Sequence, residues 1–242
     1  MELPVSVPRL IVDRIPEVGG SCRVTAEEVA HAHARRLRSG DAVVLVDGTG
    51  REGVGRLTRQ SPREIEVSIE SVREGPADSL PSISLCVAAV KAERLSWIAE
   101  KATELGAARL TIVSSERTQR FRATAALYPR LARLVREAAK QAERSRWPAI
   151  TGPVPLSELL RTESAGNRLI LDPGGEMFPA ALAPLETALL VGPEGGWSPA
   201  DLEEALAAGW IPVSLAAGIL RAETAAVAAR ARARSALARP SP

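Results

Sequence analysis

The chain has 242 residues, of which 45% are hydrophobic, and its formal net charge is +2. This length allows one large domain or two smaller ones, and this hydrophobic share suffices for a packed core. The apolar runs are too short for a membrane-spanning helix, and the first residues lack the basic and apolar regions of a signal peptide, so we expect a cytoplasmic protein.

Few residues are suited to metal or thiol chemistry. Cys22 and Cys86 are far apart in the sequence, neither belongs to a CxxC pair, and the chain has two histidines. We therefore expect two reduced thiols, no disulfide and no metal site.

The N-terminal part has the pattern of short strands separated by turns. Strands are predicted at residues 9–12, 42–46, 53–57 and 65–69. Residues 25–28 have the form of a capping box, which predicts a short helix after the first strand. We infer a small β-barrel module over residues 1–72, followed by a polar linker containing Gly and Pro over residues 73–81.

From residue 82 to residue 242, predicted strands and helices alternate. Gly106 and Pro148 are expected to end the first two helices, and Ser198 is expected to cap the third. Such alternation is typical of an α/β domain with a mainly parallel sheet covered on both faces. Strands are predicted at 83–90, 110–113, 169–171, 188–191 and 211–215, and helices at 94–105, 127–146, from 198 and from 223.

Basic residues are concentrated in one segment. Residues 109–147 contain ten Lys or Arg residues and three Glu residues. On the long helix predicted there, Arg130, Arg133, Lys140 and Arg144 lie away from the apolar face. This distribution predicts a polyanionic partner, with an ordinary solvated helix face as the alternative.

Two strand–loop–helix segments are candidates for the functional site. Residues 190–199 run from a buried strand through a Gly-rich turn into a capped helix, and residues 213–225 run through a short loop into a helix that begins near Arg221. Ligands of open α/β sheets bind at the carboxyl ends of strands, where glycine allows close backbone approach. An ordinary tight turn is the alternative for the first segment, and a salt bridge to Glu194 or Glu223 is the alternative to a functional role of Arg221. Neither segment has the dinucleotide or P-loop pattern.

An ordered set of motifs gives the chain a resemblance to a known family. The matching segments are 91–94 with Trp97, 100–106, 115–118, 137–141 with Arg144, 192–196 and 219–225. In this order and with these gaps, they closely resemble the RsmE family of 16S ribosomal RNA uridine-N3 methyltransferases over the whole chain. The resemblance implies a C-terminal SPOUT domain with a trefoil knot, an N-terminal PUA-like RNA-binding barrel, S-adenosylmethionine as cofactor, and a homodimer that acts on the small ribosomal subunit.

The resemblance also implies roles for individual residues. The expected catalytic residues are Arg221, Arg117, Glu194 and Glu223. The expected cofactor-binding residues are Leu171, Leu190, Gly192, Pro193, Glu194, Gly195, Gly196, Leu215, Ala216, Gly218, Ile219 and Leu220. The expected RNA-binding residues are Arg9, Arg36, Lys91, Arg94, Arg117, Arg120, Arg122, Arg133, Lys140 and Arg144. For Lys91 and Arg94, a charge network that braces the site together with Glu93, Glu100 and Lys101 is the alternative.

One position departs from the family pattern. Family members usually carry glycine after the strand leucine, where this chain has Ala216 and places Gly218 two residues later. If that position requires a positive φ, alanine strains the cofactor loop.

Three other functions are compatible with parts of this sequence. A ribose 2′-O-methyltransferase of the same superfamily would share the fold, and an RNA-binding assembly factor without activity is kept open by Ala216. A dehydrogenase is disfavoured because the dinucleotide fingerprint is missing.

Overall fold

The computed structural model describes residues 7–24, 26–61, 64–75, 80–118 and 121–238. The chain divides into two compact units, Met1–Ala77 with Ala139–Trp147, and Asp78–Ala138 with Pro148–Pro242. The first unit therefore includes a segment, Ala139–Trp147, that no sequence pattern had separated from the second. The domain boundaries expected at residues 72 and 82 stay a prediction.

The first unit is built on a five-stranded, mostly antiparallel sheet. Its strands lie in the order β1-β3-β4-β5-β2, with β1 parallel to β3 and the other neighbours antiparallel. Apolar residues of these strands and of α1 form one core. The elements are β1 (Arg9–Ile11), β2 (Ser21–Arg23), α1 (Ala26–Ala34), β3 (Ala42–Val46), β4 (Arg51–Gln60) and β5 (Ile65–Glu74). The expected barrel module is thus a half-barrel sheet; Thr25, the predicted cap of α1, lies outside the described residues.

A buried carboxylate joins the segment Ala139–Trp147 to the strands of this unit. Glu52 is fully buried on β4, 2.8 Å from Arg9 and 2.7 Å from Arg73, and Ser145 donates a hydrogen bond to it. Burial alone would raise the pKa of Glu52, but the hydrogen bonds from Ser145 and Arg73 and the charge of Arg9 lower it. The carboxylate stays ionised, because its charge is compensated inside the unit.

The second unit has a six-stranded parallel sheet in the order β11-β9-β10-β6-β7-β8. All residues of the two central strands, β6 and β10, are buried, as expected for strands covered on both faces. The strands are β6 (Ile83–Ala88), β7 (Arg109–Ser114), β8 (Ala149–Pro155), β9 (Asn167–Met177), β10 (Thr187–Val191) and β11 (Ile211–Ser214). The helices are α2 (Ala92–Glu104), α3 (Leu127–Gln141), α4 (Leu156–Thr162), α5 (Pro199–Ala207) and α6 (Ala222–Leu237). The predicted α/β class is confirmed.

The long basic helix ends earlier than the sequence predicted. Helix α3 stops at Gln141 rather than at residue 146, because Glu143 has a φ of 53° and the N–H of Arg144 bonds the carbonyl of Ala139 at 2.8 Å. Such a left-handed residue closes the last turn of a helix. The following carbonyl, of Ser145, accepts a hydrogen bond from the N–H of Gly50 at 3.0 Å in the first unit. The helical pattern of the sequence continues past Gln141, so contacts with residues distant in the chain determine where the helix ends.

Three short elements were not predicted. Strand β2 has three residues. Strand β8 is an edge strand that contains Gly152 and two prolines, a composition that is typical of a loop. Helix α4 has seven residues, too few for a clear helical period. The third predicted helix, α5, begins as expected, with a capping box between Ser198 and Asp201.

Candidate functional site

Parallel strands end at one edge of the sheet, and the loops that follow them there form a cavity. Three segments line this first cavity: a bulge within β9, the loop after β10 and the loop between β11 and α6. The lining residues are Leu171, Asp172, Pro173, Val191, Gly192, Pro193, Glu194, Gly196, Trp197, Val213, Ser214, Leu215, Ala216, Gly218, Ile219, Leu220, Ala222 and Ala225. This is the position at which open α/β sheets bind their ligands.

The first of these segments leaves the strand ladder. Ile170 pairs with Pro212, whereas Val213, the next residue of β11, pairs with Glu176, so the five residues between Ile170 and Glu176 bulge out of the sheet. The N–H of Gly174 bonds the Oδ1 atom of Asp172 at 2.8 Å, which closes the bulge as a turn.

A tryptophan ties two of the cavity segments together. Trp197 is 5% exposed, and its Nε1 donates a hydrogen bond to the carbonyl of Leu171 at 3.2 Å. A Cβ atom on Gly192 would lie 3.1 Å from that same Nε1. Glycine at 192 therefore lets the loop after β10 pass close to the indole.

Ten of the twelve residues expected to bind a cofactor line this cavity, and two do not. Leu190 is fully buried in the core of the unit, so its expected direct contact with a cofactor is withdrawn. Gly195 lines a neighbouring cavity instead. The lining also includes residues that were not among the twelve expected ones, and most of these lie next to an expected residue or between two of the motifs' residues. They are Asp172, Pro173, Val191, Trp197, Val213, Ser214, Ala222 and Ala225.

Ala216 does not strain its loop. Among the described residues other than glycine, the left-handed region is occupied by Arg36 and Glu143, not by Ala216. The carbonyl of Ala216 accepts a hydrogen bond from the Ser214 hydroxyl at 3.0 Å. Glycine is required elsewhere, since Gly196 has a φ of 70°. The feature that kept an inactive protein open therefore has no structural support.

These backbone angles predict that one of two substitutions leaves cofactor binding unchanged and that the other weakens it. Ala216→Gly should leave the affinity for the expected cofactor, S-adenosylmethionine, within about twofold. Gly196→Ala forces a left-handed alanine, at a cost of about 1–2 kcal/mol, and should weaken binding roughly fivefold or more. Isothermal titration calorimetry on the two matched variants checks this. If Ala216→Gly binds clearly more tightly than the unaltered chain, the absence of strain at Ala216 is contradicted.

Arg94 holds two of the expected catalytic carboxylates together. Its Nη1 donates a hydrogen bond to Glu194 and lies 3.8 Å from the Oε2 atom of Glu223. That Oε2 is buried and has no hydrogen bond among the described residues, so Arg94 supplies its compensating charge. From the sequence, Arg94 was expected either on the RNA surface or in a charge network that braces the site, and Arg221 was considered as the partner of these carboxylates. Arg221 instead is exposed and makes no ion pair within the described part of the chain.

The second expected catalytic arginine is fixed by the Gly-rich loop. Arg117 lies in the short 3₁₀ helix Glu116–Thr118 after β7, and its Nη1 donates to the carbonyl of Gly195. The side chain thereby joins the loop after β7 to the loop after β10.

The residues expected to bind RNA have different surroundings. Arg36, Lys91 and Arg133 are exposed. Arg9 and Lys140 are paired at 2.8 Å with the buried carboxylates Glu52 and Glu28, so these two are corrected to internal ion pairs of the first unit. Arg122 is exposed and donates to the carbonyl of Phe121, Arg144 is partly buried, and Arg120 lies outside the described residues.

Neither thiol is suited to nucleophilic catalysis. Burial raises the pKa of Cys86 to about 12, and burial, followed by the charge of Glu66, raises the pKa of Cys22 to about 11. In the described ranges, no group of three or more His, Cys, Asp or Glu side chains could hold a metal ion. No helix of those ranges has the length and apolar character of a membrane span.

Comparisons with known proteins identify the family. The model described as RNA methyltransferase domain matches residues 78–234, and the model described as RNA methyltransferase PUA domain matches residues 24–70. Ribosomal RNA small subunit methyltransferase E of Mycobacterium bovis is 32% identical over 236 residues, which cover 90% of this chain and 87% of the relative. The chain belongs to the ribosomal RNA small subunit methyltransferase E family. The Synechocystis member is 31% identical over 205 residues, covering 81% of this chain and 67% of its own.

Solved structures agree with this membership. A ribosomal RNA small subunit methyltransferase E from Neisseria gonorrhoeae, bound to S-adenosyl methionine, superimposes with a TM-score of 0.82 at 28% identity, covering 93% of this chain and 96% of the other. A Legionella pneumophila protein in complex with the same cofactor gives a TM-score of 0.83 at 28% identity, with coverages of 94% and 96%. The resemblance inferred from the motifs is confirmed.

Proposed function

We propose that this protein transfers the methyl group of S-adenosylmethionine to N3 of a uridine in 16S ribosomal RNA of the small subunit. The observation that carries the proposal is the first cavity, formed in a member of this family by the bulge within β9 and the loops after β10 and β11. The relatives are named as ribosomal RNA small subunit methyltransferases, and both superimposed structures hold S-adenosyl methionine.

The residues of the first cavity fit this cofactor. Leu171, Val191 and Leu220 offer apolar surface for an adenine ring, and the turns around them offer backbone N–H and carbonyl groups for its polar edge. Asp172 adds a carboxylate, which suits the positive charge of a sulfonium or the hydroxyls of a ribose. When bound there, the cofactor supplies a methyl group activated by its sulfonium.

The protein's own residues would handle the proton and the charge of the uracil. N3 carries a weakly acidic proton, which must leave before the N3 lone pair can form the bond to the methyl carbon. Glu194 lines the first cavity and the neighbouring one, so we assign it the acceptance of this proton. Arg221 follows Leu220 and precedes Ala222, which both line the cofactor cavity, and its guanidinium would stabilise the uracil anion.

The proposal extends to partners and place of action. N3 lies on the Watson–Crick edge, so the target uridine must be unpaired or flipped out of its helix. A homodimer is proposed by analogy with the SPOUT class. A small-subunit substrate would place the protein in the cytoplasm, where ribosomal subunits are assembled.

Methyl transfer from labelled S-adenosylmethionine to purified small subunits that lack the modification tests the proposal. Mass mapping should find N3-methyluridine at one position of the 16S RNA. A product that resists alkaline cleavage would instead show ribose 2′-O-methylation. Intact RNA binding with no transfer, to subunits or to naked RNA, would indicate an assembly factor without activity.

A further inference from the structure

A second cavity adjoins the cofactor cavity on the other side of the Gly-rich loop. Its volume is about 710 Å³, within the usual range for ligand sites, and it lies at the carboxyl ends of β6 and β7. Pro193 and Glu194 line both cavities, whereas Gly195 lines the second. A group bound in the second cavity therefore has one wall in common with a ligand of the first.

The lining of the second cavity combines an aromatic ring with basic side chains. Phe121 is partly exposed there, and the basic residues Lys91, Arg117 and Arg122 outnumber the two acidic ones, Glu93 and Glu194. The other phenylalanine of the chain, Phe178, is 3% exposed and has the guanidinium of Arg232 above its ring, 5.8 Å from the centroid. Of the two phenylalanines, Phe121 is thus the one that is partly exposed and lines a cavity. An exposed ring among cations suits an unstacked base with its phosphates.

Arg117 adds a means of base discrimination. Its Nη1 is held by the carbonyl of Gly195 in the wall of this cavity, and a guanidinium carries five N–H donors in all. The remaining donors can bond the carbonyl oxygens of uracil. Cytosine has an amino group in place of O4. This amino group would lie against an N–H of the guanidinium, and because both are donors, neither would have a hydrogen-bond partner.

We propose that the second cavity receives the target nucleotide, with its base stacked on Phe121 and its N3 edge turned to the wall formed by Pro193 and Glu194. The proposal rests on the proposed function, because it takes the first cavity as the cofactor site. It makes Phe121 a substrate-binding residue and Arg117 a residue that selects uracil. The two cavities then hold methyl donor and acceptor on either side of one loop.

A photocrosslink tests the placement without turnover. The probe is a decamer of uridines with one 5-iodouridine, irradiated with the full-length protein and S-adenosylhomocysteine, and the crosslinked peptide is identified by mass spectrometry. We expect a crosslink to the peptide that contains Phe121, and its loss in Phe121→Leu, which keeps the bulk but removes the ring. A crosslink map that lacks this peptide overturns the proposal.

Kinetics on small subunits supply the second readout. Phe121→Leu should raise the KM for subunits roughly tenfold, as expected for the loss of one base–aromatic stack, and Phe121→Trp should restore it. Binding of S-adenosylmethionine should stay within twofold in both variants, which also shows that they fold. An unchanged KM in Phe121→Leu overturns the role of the ring. A crosslink at Phe121 without methyl transfer by the unaltered protein would keep the nucleotide site and reject the proposed function.

Discussion

Arg221→Ala is expected to lower kcat by about 10²–10³-fold while leaving the binding of S-adenosylmethionine intact. Removal of one donor that stabilises a developing negative charge has an effect of this size in other enzymes. Arg221 is absent from the lining of the cofactor cavity, although both of its sequence neighbours belong to it, so its loss should not weaken cofactor binding. Single-turnover methylation of small subunits and calorimetry with the cofactor measure the two effects separately.

The stability of the same variant gives an independent check. Arg221 is exposed at the N-cap position, directly before the first residue of α6, where a positive charge opposes the helix dipole. Its removal should leave the free energy of unfolding unchanged or raise it by about 0.3–1 kcal/mol. Arg161→Ala, an exposed arginine in the last turn of α4, is the matched control and should keep full activity. An active Arg221→Ala protein would reject the role assigned to this residue.

Local sequence signals predict the loops of the cofactor cavity. Three signals lie next to each other in the chain: the strand β10, the Gly-rich turn, and the capping box of Ser198 with Asp201. Short-range sequence patterns therefore suffice to predict a strand, a loop and a helix start in this order. The same holds for the loop before Arg221. Ten of the twelve expected residues line the cavity for this reason. Leu190 does not line it: in a strand that is buried along its whole length, the sequence does not show which residue reaches the cavity.

Contacts between distant residues could not be predicted in this way. Arg94 and Glu194 are 100 positions apart, and Glu28 and Lys140 are 112 apart. In the sequence, Lys140 looks like a surface cation, and Arg94 like either a surface cation or a member of a charge network. Nothing nearby in the chain reveals the carboxylate that each of them meets. The second cavity was missed likewise: the loops that follow β6, β7 and β10 each carry a segment of the family pattern, but nothing in the sequence shows that they enclose one cavity.

Arg94→Ala is expected to weaken the binding of S-adenosylmethionine and to slow methyl transfer, each about tenfold or more. Arg94 joins Glu194, in the loop after β10, to Glu223, in the first turn of α6, and both of these regions adjoin the cofactor cavity. Loss of the guanidinium leaves the Oε2 of Glu223 without its cation, which should reduce the free energy of unfolding by about 1–3 kcal/mol. Arg94→Lys should be intermediate, because an ammonium group lacks the fork of donors that can serve two carboxylates.

A double variant separates stability from positioning. Adding Glu223→Gln to Arg94→Ala removes the uncompensated charge, so the free energy of unfolding should recover, whereas Glu194 stays without its partner and the slow transfer should persist. Denaturant unfolding and cofactor titration on the single and double variants measure the two effects.

The alternative for Arg94 is the RNA contact that the sequence suggested, and salt dependence distinguishes the two roles. A side chain that neutralises one phosphate contributes about one unit to the slope of the logarithm of RNA affinity against the logarithm of salt concentration. An arginine whose charge is already compensated by Glu194 and Glu223 should contribute nothing to that slope. If Arg94→Ala binds S-adenosylmethionine normally but loses RNA affinity with a slope reduced by about one, Arg94 contacts RNA and does not position the two carboxylates.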